Sequence, residues 1–131
     1  MRLTLLAAAL LIAAAPAAAH EPQLESRFSA GYGTCMDNAN GTYEMLECAN
    51  DEYAIQDQAL NDAYRKAMEG LNARQQGRLR AAQRAWIAFR DAKCESLQDQ
   101  DWGTLSTVTA RMCRVDETVR RLIELEEYPP V

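Results

Sequence analysis

The sequence predicts an all-α fold: an antiparallel three-helix bundle stapled by two disulfides, with an irregular N-terminal arm. Three observations carry this. Apolar residues recur at threes and fours along three long stretches. No stretch shows the alternation of a half-buried strand. Four cysteines follow an N-terminal segment that reads as an export leader.

The leader comes first. Arg2 supplies its positive end, and Leu3 to Ala15 form an apolar run too short to cross a bilayer. Pro16 breaks the run, and Ala17-Ala18-Ala19 offers the small residues that signal peptidase requires. Cleavage after Ala19 makes residues 1–19 a signal peptide and His20 the new N-terminus. No cysteine stands near that junction to accept a lipid, so the expected product is periplasmic or secreted, without membrane anchoring after cleavage.

Residues 20–41 lack periodicity. Pro22, Gly31, Gly33 and Gly41, with Asn38 and Asn40, mark an arm that only Cys35 would tie down. The helical domain then spans 42–128. Its first helix, about 42–69, places Leu46, Ala49, Tyr53, Leu60, Tyr64, Ala67 and Leu71 on one stripe, with Thr42 as N-cap. Gly70 is expected to end it in the left-handed conformation. Asn72 caps a second helix, with Gln75 completing a capping box. The second stripe is Leu79, Ala82, Trp86, Phe89 or Arg90, Cys94 and Leu97. The run Asp99-Gln100-Asp101-Trp102-Gly103 ends that helix. A third starts at Thr104 or Ser106, turns Leu105, Val108, Met112, Val115, Val119 and Leu122 inward, and stops at Pro129-Pro130.

Charge and chemistry narrow the function. The chain has 14 basic and 19 acidic residues; cleavage removes Arg2 and no acid, leaving 13 against 19, or −6. Such a balance, read as having no basic cluster, excludes nucleic acid and suits a cationic protein partner. The cysteine spacings of 13, 46 and 19 contain no CxxC pair, and the one histidine, His20, lacks a second for a copper brace; no metal and no cofactor are expected. With no nucleophile motif and no distinctive acid pair, the chain does not read as an enzyme. Asn40-Gly41-Thr42 matches a glycosylation acceptor.

Two blocks carry a family resemblance. They are Asp57-Gln58-Ala59-Leu60-Asn61-Asp62-Ala63-Tyr64, after Cys48-Ala49, and Leu79-Arg80-Ala81-Ala82-Gln83-Arg84-Ala85-Trp86-Ile87-Ala88-Phe89-Arg90-Asp91-Ala92-Lys93-Cys94. With Cys113, Thr118, Arg121 and Leu125 they resemble the lysozyme-inhibitor LprI-like family over Cys35 to Leu125. The resemblance implies a small exported helical domain whose family takes its name from a lysozyme-inhibiting lipoprotein. The motif residues Leu60, Asn61, Tyr64, Gln83, Trp86 and Arg90 read as architectural. Trp86 and Phe89 are expected in the core, and Asn61 and Tyr64 in packing plus a polar contact across the hairpin. Arg90 is expected in an ion pair with Asp57 or Glu52.

The cysteine pairing stays open on register alone. A first turn near Leu71 sets Cys94 opposite position 48, whereas a second near Asp101 sets it about a turn from Cys113. The resemblance favours two local bridges, Cys35–Cys48 and Cys94–Cys113. The function it implies is an exported binding protein that inhibits lysozyme-type hydrolases by occlusion. Candidate partner-binding acids are Glu95, Asp99 and Asp101 near the second turn, and Glu124, Glu126 and Glu127 at the end of the third helix. The alternative is a periplasmic accessory or immunity-type interaction module without lysozyme activity.

Overall fold

A computed structural model describes residues 22–129; the leader, its cleavage point and His20 lie outside the described residues. Five α-helices follow in order: α1 (Pro22–Glu25), α2 (Tyr32–Asn38), α3 (Thr42–Glu69), α4 (Ala73–Glu95) and, after a 3₁₀ turn at Gln100–Trp102, α5 (Leu105–Glu126). Among the described residues there is no strand.

Helix α5 is the axis of the molecule. It packs along α3 and α4 and touches α1 and the 3₁₀ turn. It runs parallel to α3: Thr42 meets Thr104 near both starts, and Leu60 shares a core with Leu122 and Leu125 further along. It runs antiparallel to α4, with Gln83 bonded to Arg121, Lys93 to Glu117 and Cys94 to Cys113. The long helices therefore go up, down and up. Leu60, Ala67, Leu79, Leu122 and Leu125 form the main core, and Val108, Val115 and Val119 extend the buried face of α5.

Both expected disulfides are present. Cys35–Cys48 joins α2 to α3, and Cys94–Cys113 joins α4 to α5, with Cα separations of 5.8 Å and 5.5 Å. Closing loops of 13 and 19 residues restricts the unfolded chain, worth about 3 kcal/mol for each bridge.

The arm is more ordered than its composition foretells. Leu24 and Tyr32 are buried, and Phe28 meets Tyr32 edge-on at 5.3 Å. Glu52 on α3, also buried, accepts a hydrogen bond from the Ser29 backbone N–H at 2.9 Å and another from the Ser29 hydroxyl. Gln56 donates both to Glu52 and to the Arg27 carbonyl, while Arg27 pairs with Glu126 at 2.6 Å. These anchors are long-range in sequence, so no local pattern announces them.

Several local expectations need correction. The N-cap of α3 is Gly41, not Thr42; the Asn40 backbone N–H instead donates to Glu44 at 2.7 Å, which holds that carboxyl below the usual range. Gly70 ends α3 at φ −81°, so it is not left-handed, whereas Gly103 before α5 has φ +73°. The Asn72–Gln75 capping box forms as expected. On α4 the buried position is Gln83 rather than Ala82 and Arg90 rather than Phe89; Phe89 is 58% exposed. Leu97, beyond the end of α4, also faces outward, as do Leu105 and Met112, because α5 buries the narrower stripe of Val108, Val115, Val119 and Leu122.

Candidate functional site

Two surfaces bring sequence-identified residues together. The first is a groove of about 370 Å³ between α3 and α4, whose backbones make little direct approach. Leu60, Asn61, Tyr64, Gln83, Trp86 and Arg90, the six motif residues, all line it. On α4 the inward stripe is Leu79, Gln83, Trp86, Arg90 and Cys94, spaced at fours and threes, and two of its members are polar.

Arg90 organises one end of this groove. Its guanidinium contacts Asp91 at 2.9 Å and Asp57 at 4.0 Å, and lies 4.9 Å from the Trp86 centroid and 5.6 Å from that of Tyr53. The expected partner Asp57 is thus present, while Glu52 is committed to the arm. A buried guanidinium between two aromatic faces gains cation–π attraction that compensates part of its lost hydration. Asn61 does not reach across the hairpin; its amide bonds the Asp57 carbonyl and carboxylate on its own helix. Gln83 accepts from Arg121 Nε at 2.9 Å, tying α4 to α5.

The groove also overturns the reading of no basic cluster. From Ala73 to Arg90, α4 carries Arg74, Arg78, Arg80, Arg84 and Arg90 and no acid. Arg80 and Arg84 stand on the groove wall. The net acidic total of the chain conceals this run.

The second surface is the turn between α4 and α5. Of the six candidate acids, Glu95 and Asp99 line a cleft of about 550 Å³ there, with Gln98, Gly103, Ser106 and Thr107 among its other walls. Asp101 is exposed beside them, as are Trp102 at 63% and Leu105. The turn is held from within. The Ser106 hydroxyl lies within hydrogen-bond reach of both the Asp99 and Gly103 carbonyls, which share its one proton, and accepts from the Asp99 N–H; the Asp99 carboxylate accepts from the Asp101 N–H at 2.8 Å. Cys94–Cys113 closes its base.

The remaining acids lie at the opposite end of α5. Glu124 pairs with Arg121 at 2.8 Å and Glu126 with Arg27, leaving Glu127 exposed beyond them. The structure therefore splits the six candidates into two groups separated by the length of α5, 22 residues or about 33 Å. They cannot form one small patch.

Comparison with known proteins bears on both surfaces. The family model described as lysozyme inhibitor LprI matches residues 35–125, over half of the chain and all of both surfaces; of the six candidate acids, Glu126 and Glu127 fall outside it. The chain belongs to the LprI lysozyme-inhibitor family. An uncharacterized protein of Rhizobium meliloti (strain 1021) is 30% identical over 132 aligned positions, covering 90% of this chain and 88% of that protein. No solved structure matches. For an LprI-family chain, the match runs from the first cysteine to the last core leucine of α5, so both bridges and the motif groove fall inside it. Among the described residues no helix is long and apolar enough to cross a membrane, and no group of His, Cys, Asp or Glu is placed to hold a metal.

Proposed function

We propose that this LprI-family protein is an exported binding protein that inhibits lysozyme-type cell-wall hydrolases, seating its α4–α5 turn over the substrate cleft. The observation that carries this reading is the pre-organised acidic turn with an exposed tryptophan. Glu95, Asp99 and Asp101 offer negative charge, and Trp102 offers a large rigid anchor of the kind that dominates binding hot spots. Internal bonds from Ser106 and Asp99 and the Cys94–Cys113 bridge fix the turn before binding, which lowers the ordering cost of association. Complementary charge would speed encounter with a basic enzyme. Two disulfides fit an oxidising, extracytoplasmic location. Nothing in the arrangement requires this protein to turn over a substrate.

The test is a cell-wall turbidity assay with purified, oxidised protein and a basic lysozyme. Slower clearing with wild-type protein, relieved by Trp102→Ala, is the expected result. Full lysozyme activity with excess protein at low salt would favour the accessory-module alternative.

A further inference from the structure

The motif groove is distinct from the α4–α5 turn and has no part in the occlusion reading. We propose that it is a binding site for a saccharide bearing a carboxylate, held between Arg80 and Arg84 on α4 and Asn61 and Tyr64 on α3. Its volume, about 370 Å³, lies within the range of small-molecule sites, about 300–1,000 Å³.

The inference rests on the kinds of atoms that line the groove. Among the described residues no carboxylate pairs with Arg80 or Arg84, although 19 acids are present in the chain. Gln83 uses its carbonyl oxygen on Arg121, so its amide N–H₂ is left to donate. The Tyr64 hydroxyl makes no hydrogen bond among the described residues and can donate as well. Asp57, the one carboxylate on the wall, already faces Arg90 and accepts from the Asn61 amide, whose oxygen is left to take a sugar hydroxyl. The other polar groups with remaining capacity are donors, which calls for an acceptor-rich, anionic ligand, and planar guanidinium groups match a carboxylate with two parallel bonds.

The apolar part of the wall selects a sugar over a bare anion. Trp86 and Ile87, which fall between Arg84 and Arg90 in the sequence, both line the groove, and Ile87 is 40% exposed. An indole with a neighbouring aliphatic side chain suits the C–H face of a pyranose ring, while donors at the rim take its hydroxyl and carboxylate oxygens. Arg90 stays engaged with Asp57 and Asp91 and positions Trp86 by lying against its ring.

Two-dimensional NMR of the oxidised protein decides this, because its two tryptophans give separate indole N–H signals that report the two surfaces. The probe is tetragalacturonate, compared with neutral chitotetraose and with inorganic phosphate at equal concentration. Tetragalacturonate should shift the Trp86 indole and the amides of residues 80–87 while leaving Trp102 in place. Arg80→Gln with Arg84→Gln should weaken that binding about tenfold or more, as expected for losing charge-assisted bonds. Arg74→Gln with Arg78→Gln removes the same charge from the same helix outside the groove and should leave affinity nearly unchanged. Equal weakening by both pairs, equal shifts with chitotetraose or phosphate, or no shift at Trp86 would each overturn the proposal. None of these outcomes bears on lysozyme inhibition through the turn.

Discussion

The Arg90 guanidinium rests 4.9 Å from the centre of the Trp86 ring, one turn back along the same helix. With the side chain of Arg90 only 8% exposed, this contact stands in for the apolar packing that a bundle helix normally supplies at such a position. Arg90→Lys keeps the charge but loses the flat stacking surface and the fork toward Asp91. We expect it to lower stability by about 1 kcal/mol, and Arg90→Ala by about 2 kcal/mol. Urea unfolding followed by far-UV circular dichroism measures both. Wild-type midpoints for the two variants would mean that Arg90 contributes nothing to holding α4.

Glu52 is the anchor of the arm. Its carboxylate is 23 residues from Ser29 in sequence and accepts two bonds from it, plus one from Gln56. Truncation leaves the half-buried Ser29 N–H without its acceptor and empties the buried Glu52 position, so Glu52→Ala should cost about 1–3 kcal/mol. Hydrogen exchange should show protection lost first across residues 24–32. Uniform loss of protection along α3, α4 and α5, with the arm no worse than the rest, would contradict this assignment.

Tyr32 gives a pH signature. Burial, and then the negative charges of Asp116 and Glu52, push its pKa up from 10.0 to about 12. The folded state thus favours the neutral phenol, and its contribution is complete below pH 10. That contribution falls as pH rises from 10 through about 12. Absorbance titration should show a late tyrosine step near pH 12, and Tyr32→Phe should remove that step and flatten the alkaline loss of stability. A late step that survives in Tyr32→Phe would assign it elsewhere.

The helices were legible because local chemistry marks their ends. Asn72 and Gln75 form the capping box their spacing announces, and α3 spans Thr42–Glu69, the bounds its periodicity predicts. The bridges followed from the family resemblance, since helix register alone also allowed Cys48–Cys94. What local reading missed depends on partners distant in sequence. Phe89 and Arg90 are adjacent, and hydropathy favours burying Phe89; the aromatic and acidic neighbours of Arg90 on two helices reverse that order. Likewise, Leu60, Tyr64 and Trp86 pack in or against the core as expected and also line an open groove, which no local pattern marks. The split of the acidic candidates required the direction of α5 and the partners of Glu124 and Glu126.

The central claim is that the α4–α5 turn is the inhibitory surface, and its most direct test is a charge-matched comparison of inhibition. Asp99 caps the 3₁₀ turn, so its reversal would disturb the loop as well as the charge. Glu95→Lys with Asp101→Lys changes exposed side chains at the turn; Glu69→Lys with Glu127→Lys makes the same net change at the opposite end. Inhibition constants for a basic lysozyme are measured at low ionic strength for both pairs and for wild type. The turn pair should weaken inhibition about tenfold or more, mainly through slower association, and the distant pair by much less. Equal inhibition by wild type and the turn pair, or an equal loss in both pairs, would contradict the assignment of the turn as the docking surface.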